Sequence, residues 1–214
     1  MISRLRTVDH VRRIPLSRRS HVTGFQPLPT GSAEHESALE RDFVILTSFA
    51  DLAAVITAQP VTIFFADGTT QRRYTPDFLV RWSDGRSELV EVKYRADLHT
   101  NWRQLRPRFV AARDWARERR IGFRIATERG IRGILLENAR RLLPLRNVPL
   151  DMTSVARVTE AVRSLHEPTF ERIVDEIAGD RSSAIAIIWR MIARGMLRTD
   201  LSSPMRPDSL VSLP

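Results

Sequence analysis

The chain has 214 residues, 43% of them hydrophobic, with no cysteine, a net charge of +9 and an isoelectric point near 11.3. That is enough chain for a real core. It excludes disulfides and thiolate-rich zinc or iron–sulfur sites and favours a reducing compartment. No apolar run reaches the roughly 18 residues of a membrane span, and the first 19 residues carry arginines without the apolar stretch of a secretory signal, so a bacterial cytoplasm is the expected location. The charge points to a polyanionic partner. Its clustering at Arg12/Arg13, Arg18/Arg19, Arg72/Arg73 and from Arg103 to Arg120 turns that toward DNA.

In chain order, residues 1–33 mix arginines with Pro15, Gly24, Pro27, Pro29 and Gly31, and predict an extended, largely irregular basic arm. Leu39, Phe43 and Leu46 at i, i+4 and i+7 predict a helix over about 34–49. Strands are expected over 60–66, closed by the Asp67-Gly68 turn, then over 72–82 and 87–94 with Ser83-Asp84-Gly85 between them. A helical stripe of Trp102, Leu105, Phe109, Ala112 and Ala116 spans 101–120, with a kink or restart expected at Pro107, and both Trp102 and Trp115 read as core. Strand 122–127 and helix 134–143 complete an α/β fold with a mixed sheet flanked by helices.

Residues 144–149 read as a linker, which divides the chain into the arm 1–33, a catalytic domain 34–145 and a small domain 150–214. In the last, helices over 155–165, 169–178 and 182–194 precede Gly195 and a short strand at 196–200, the outline of a winged-helix-like all-α domain. Pro168-Thr169 and Ser182/Ser183 serve as start signals. The third helix is mostly apolar, with only Arg181, Arg190 and Arg194 as basic contacts, which favours protein docking or structural support over groove reading.

Chemistry concentrates on one hairpin. Lys93 is the only lysine among 34 basic residues, so a compact ammonium with a tunable pKa stands where arginine was not used. It closes Glu91-Val92-Lys93, and Asp77 lies 14 residues before Glu91 in Thr75-Pro76-Asp77. Alternation puts Glu91 and Lys93 on one face. A three-residue loop with a left-handed Gly85 pairs Trp82 with Arg86 and Leu79 with Leu89, which brings Asp77 opposite Glu91. A two-residue loop sends the carboxylates to opposite faces. Facing carboxylates suit a divalent cation such as Mg²⁺, with Mn²⁺ substituting, and Lys93 can orient or deprotonate water or steady charge on phosphorus. A third acid is expected from the first helix, at Glu36 or Glu40, one turn apart. Arg72, Arg73, Arg103 and Arg106 are the expected DNA contacts. His10, His21, His35, His99 and His166 show no metal-ligand spacing.

Pro-Asp, a spacer and Glu-x-Lys resemble the motif of PD-(D/E)xK nucleases. Leu39-Glu40-Arg41-Asp42-Phe43, Gln59-Pro60, Tyr74-Thr75-Pro76-Asp77-Phe78, Glu88-Leu89-Val90-Glu91-Val92-Lys93 and Phe123-x-Ile125-x-Thr127-Glu128 resemble TnsA-type endonucleases, subunits of heteromeric transposases, over about residues 15–145. The resemblance implies a restriction-endonuclease-like fold. It implies Glu40 as the third acid, a metal set of Asp77, Glu91, Val92 and Glu40, and Lys93 as catalytic lysine. It also implies cleavage of the 5′, non-transferred strands beside a TnsB-like DDE transposase, and a C-terminal domain that meets a TnsC-like AAA+ ATPase. Two other readings stand beside it: a stand-alone restriction or repair endonuclease, and a non-catalytic DNA-binding or assembly module.

Overall fold

The computed structural model describes residues 7–8, 24–28, 31–35, 37–177 and 179–214. The described chain divides into two compact units, Met1–Arg132 and Gly133–Pro214. In the first, strands β1 (Thr7–Val8), β2 (Gly24–Leu28) and β3 (Gly31–His35) precede helix α1 (Ala38–Ala50). Then come β4 (Val55–Ala58), β5 (Thr62–Asp67), β6 (Thr70–Tyr74), β7 (Phe78–Arg81), β8 (Ser87–Val92), α2 (Arg95–Glu118), β9 (Gly122–Ala126) and the short α3 (Glu128–Ile131). The arm expected to be irregular therefore contains the antiparallel hairpin β2–β3, while β1 pairs with β5; the rest of it lies outside the described residues.

A mixed four-stranded sheet of order β4-β7-β8-β9 positions the site. Its strands are antiparallel except that β9 runs parallel to β8. Strand β8 is apolar on both faces because both are covered. Val90 and Val92 meet Leu39, Phe43 and Val44 of α1 on one side, and Leu89 meets Leu105, Phe109 and Ala112 of α2 on the other. Phe43 stacks on Phe78 at 5.4 Å between centroids. Each such side chain removed from water contributes about 1.5–3 kcal/mol, so the sheet's place between the helices is strongly set. The second sheet, β1-β5-β6, closes over the α2 side with Ile63, Phe65 and Tyr74.

Several boundaries differ from expectation. The single strand expected over 72–82 is two strands in two sheets, because Thr75-Pro76 interrupts it and proline cannot donate to a ladder. Strand β4, at 4 residues, is too short for its period to show. Helix α1 begins at Ala38, where Ser37 accepts from the Glu40 amide at 3.1 Å, and Glu34 and His35 belong to β3. Glu36 lies outside the described residues. Helix α2 starts at Arg95 and runs through Pro107 as one helix; the missing bond, worth about 3 kcal/mol, is outweighed by the buried row of Leu105, Phe109, Ala112 and Trp115. Trp102 is 47% exposed, so it is not core, whereas Trp115 is.

The second unit holds α4 (Ile134–Leu142), a 3-10 helix at Leu143–Asn147, α5 (Met152–Ser164), α6 (Phe170–Glu176) and α7 (Arg181–Ala193). Residues 144–149 are not a free linker. Pro144 starts the 3-10 helix, Arg146 donates to the Ala193 carbonyl at 2.7 Å, and Arg194 donates to the carbonyls of Arg146 and Val148. The division thus falls ahead of α4 rather than after it, and buried Asn138 ties α4 to the C-terminal loop through the carbonyls of Leu201 and Ser203. Thr169 and Asp180 cap α6 and α7. In place of the strand expected at 196–200, single bridges join Arg198 to Ser212 and Thr169 to Leu210. No helix among the described residues is long and apolar enough to cross a membrane.

Candidate active site

The hairpin register follows from its loop. Gly85 has φ +87°, its amide donates to the Trp82 carbonyl at 3.0 Å, and the Trp82 amide donates to Arg86 at 2.8 Å. Leu79 then pairs with Leu89 and Phe78 with Val90. Strand pairing stops there, and Asp77 is held another way. Its Oδ2 accepts from the Val92 amide at 2.7 Å, and its carbonyl accepts from the amide of Gln59, a non-glycine at φ +45° at the end of β4. Pro76 leaves the ladder just before, which frees the Asp77 side chain to reach across to β8.

Glu91 shares a face with Leu89 and is 3% exposed. Its two oxygens are both engaged: the Tyr74 hydroxyl donates to Oε2 at 2.5 Å, and the Lys93 ammonium lies 3.2 Å from Oε1. The Lys93 backbone is itself pinned, donating to the Ala126 carbonyl of β9 at 3.0 Å. Glu40, in the first turn of α1, accepts from the Ser37 hydroxyl at 2.9 Å, and that hydroxyl accepts from the Glu40 amide as the helix cap.

The electrostatics match an excess of buried negative charge. Burial first, then the neighbouring Glu91 and more weakly Glu40, push the Asp77 carboxyl well above its ordinary range, against the opposing Lys93 charge and Val92 amide. Burial works against the Lys93 charge, yet Glu91, Asp77 and Glu40 outweigh it and hold its pKa above the usual value, so it is a cation at neutral pH. Burial, then Glu91 and Asp77, push the Tyr74 hydroxyl up, which keeps it a donor.

Among the described residues no three His, Cys, Asp or Glu side chains form a ready-made metal cluster. The donor chemistry nevertheless fits a hard cation. Asp77, Glu91 and Glu40 present carboxylate oxygens against the single Lys93 ammonium, and the raised Asp77 pKa is the mark of negative charge that a divalent ion would offset.

Asp77, Glu91 and Lys93 thus come together, with Glu40 close enough for its charge to act on Asp77 and Lys93. The expected DNA contacts are not gathered in this way. Arg72 pairs with Asp67 at 2.9 Å, Arg73 is exposed next to it on the same strand as Tyr74, and Arg103 and Arg106 are exposed on α2. Sequence reasoning missed Tyr74, whose place in Tyr74-Thr75-Pro76-Asp77 is its only signal, and Arg108, the α2 arginine whose charge reaches Tyr74. It also missed a latch around the exit of β8. The Glu128 carboxylate accepts from the Arg95 amide at 2.9 Å and caps α2, and Arg132 bridges buried Asp42 at 3.0 Å and the Tyr94 hydroxyl at 3.1 Å.

A search of curated proteins returns no match to the chain. Residues 54–128 match the family model described as TnsA-like endonuclease N terminal, and this span, which carries Asp77, Glu91 and Lys93 on their hairpin, is a TnsA-like endonuclease domain.

Proposed function

We propose that the chain is the Mg²⁺-dependent endonuclease subunit of a heteromeric transposase, cutting the 5′, non-transferred strands at transposon ends. In this reading it works beside a TnsB-like DDE transposase and a TnsC-like AAA+ ATPase. The observation that carries the reading is the meeting of the buried Glu91 carboxylate, the half-buried Asp77 carboxylate and the chain's one lysine at the end of β8, inside the span that matches the family.

Asp77, Glu91, the Val92 carbonyl and Glu40 would hold the cation, and Mn²⁺ would substitute for Mg²⁺. When bound, the cation supplies a Lewis acid for the phosphodiester and makes water more acidic. The chain's own residues do the rest. Tyr74 and Lys93 fix Glu91 from both oxygens, while Val92 and Gln59 fix Asp77 from two strands. Lys93 is 34% exposed and keeps its proton, so it suits donation to the attacking water or to a phosphate oxygen better than proton abstraction. Arg72, Arg73 and Arg103, with Arg108, would position the DNA backbone.

The C-terminal unit reads as a winged-helix-like docking module. Ile187, Ile188, Met191 and Ile192 of α7 are buried, and Arg181 is spent on Glu171 and Asp175, which leaves little for groove reading.

The test is cleavage of labelled transposon ends by the purified protein with its partner proteins in Mg²⁺. Asp77→Ala and Lys93→Ala should each reduce 5′-strand cleavage by about 10³-fold or more, the scale of lost charge-stabilising groups, while 3′-end joining persists. Equal 5′ cleavage by wild type and either variant overturns the proposal.

A further inference from the structure

Helix α2 presents two different flanks. Arg108 lies on the flank toward Tyr74, and Trp102, Arg106, Val110 and Arg113 lie on the other, beside β9. There the helix and strand enclose an open groove of about 430 Å³, floored by Phe109, Phe123 and Ile125. Trp102 (47% exposed) and Val110 (37%) stand on its rim, two of the few large apolar side chains left in water. The rings form a run, Trp102 to Phe109 at 6.2 Å and Phe109 to Phe123 at 6.1 Å.

Two further observations fall at the same place. Strand β9 ends the four-stranded sheet: one edge pairs with β8, and the other has no partner strand among the described residues. A bare strand edge is a template for another strand. Arg106 and Arg113, which line the groove, have no carboxylate partner among the described residues. Sequence alone had given Arg106 to DNA.

We infer that this groove and the free edge of β9 bind an extended segment of another protein, which adds to the sheet as a strand and turns a mixed apolar and acidic face toward α2. Every feature is then used: main-chain hydrogen bonds to β9 and, on the one strand face that meets the groove, apolar side chains on Phe109, Phe123 and Trp102 with acidic side chains on Arg106 and Arg113. A phosphate backbone would meet the arginines and leave the apolar floor and strand edge unused. A second copy is disfavoured by charge, since edge-to-edge pairing of two chains of net charge +9 would bring both pairs of groove arginines together. The inference does not depend on the nuclease reading, because binding here needs no metal and no cleavage.

The experiment selects a displayed library of random dodecapeptides on the immobilised full chain. The best sequences are then measured as labelled peptides by fluorescence anisotropy, without metal. Selected peptides should carry apolar and acidic residues an even number of positions apart, on one strand face, and Trp102→Ala or Arg113→Glu, both on the surface, should weaken them at least 10-fold with unchanged melting. Replacing alternate amides of the peptide by N-methyl amides should weaken it as much. The inference is overturned if no peptide is enriched, if enriched peptides lack acidic residues or bind the variants as well as wild type, if a short DNA duplex displaces them, or if the groove is filled by self-association that Arg113→Glu abolishes.

Discussion

Asp77 is held in a state that the folded protein would relieve by taking up a proton or a cation. Burial and the Glu91 charge raise its pKa well above the ordinary carboxylate value, while in the unfolded chain it titrates near that value. Between the two, the folded protein keeps a proton that the unfolded chain has released, so this group's contribution to stability falls as pH rises through that window. Asp77→Asn removes the titration and keeps an oxygen for the Val92 amide. In metal-free buffer at neutral pH the variant should therefore melt at a higher temperature than wild type, with cleavage lost. Melting curves in EDTA from pH 4 to 8 check it: the two proteins should diverge as pH rises, and parallel curves would refute the account. Tyr74 acts in the opposite sense. Its hydroxyl is the donor to Glu91 Oε2, and Tyr74→Phe leaves that buried oxygen without it. The variant should lose about 1.5–3 kcal/mol, the usual worth of a hydrogen bond to a charged group. It should also bind Mn²⁺ more weakly by calorimetry, which a purely packing role for the ring would leave unchanged.

The hairpin β7–β8 was legible from the sequence because two independent constraints agree on it. Gly85 supplies the left-handed turn, and alternation assigns Leu79 and Leu89 to one face and Val80 and Val90 to the other. Helix α2 was legible from its stripe, although its first turn was not, since Arg95 to Thr100 carries its cap on distant Glu128. The break in 72–82 was marked by Pro76, but the assignment of its two halves to different sheets was hidden, because Arg72 to Tyr74 and Phe78 to Arg81 carry no mark of which neighbouring strand each will choose. Glu91 was visible by spacing, whereas its partner Tyr74 lies 17 residues away on another sheet, a distance only folding closes. The turn and the burial pattern can be separated experimentally. Gly85→Ala places a Cβ in open space at φ +87°, so its cost is backbone strain alone, about 1–2 kcal/mol. The register should survive, because a one-residue slip would expose Leu79 and Leu89 and bury polar neighbours. Denaturant melts should show the lost stability, and well below the transition 5′-strand cleavage should stay within about 3-fold of wild type. A folded variant with cleavage lost would mean that the turn alone sets the register.

At the scale of the whole chain, charge and catalysis are separable. The net charge of +9 is spread over arginines, many of them paired: Arg72 with Asp67, Arg124 with Glu88, Arg132 with Asp42, Arg181 with Glu171 and Asp175. Only the arginines left over can release counterions from DNA, so the net charge overstates the grip. These include Arg73, Arg103 and Arg108, which are exposed and enter no ion pair among the described residues. If a footprint of about six phosphates is neutralised, affinity should fall about 10³-fold between 50 and 200 mM salt, the behaviour of counterion release. Replacing one of these arginines by glutamine should lower the slope of log affinity against log salt by about one, uniformly over DNA sequence. Asp77→Asn, in contrast, should leave the slope unchanged or raise affinity slightly, since it removes a negative charge without touching a cation. Fluorescence anisotropy on a labelled duplex in Ca²⁺, across a salt series, measures both. A slope that does not change for Arg73→Gln, Arg103→Gln or Arg108→Gln would place the DNA on another surface of the molecule, with the carboxylates of β7 and β8 reaching it from outside the basic face described here.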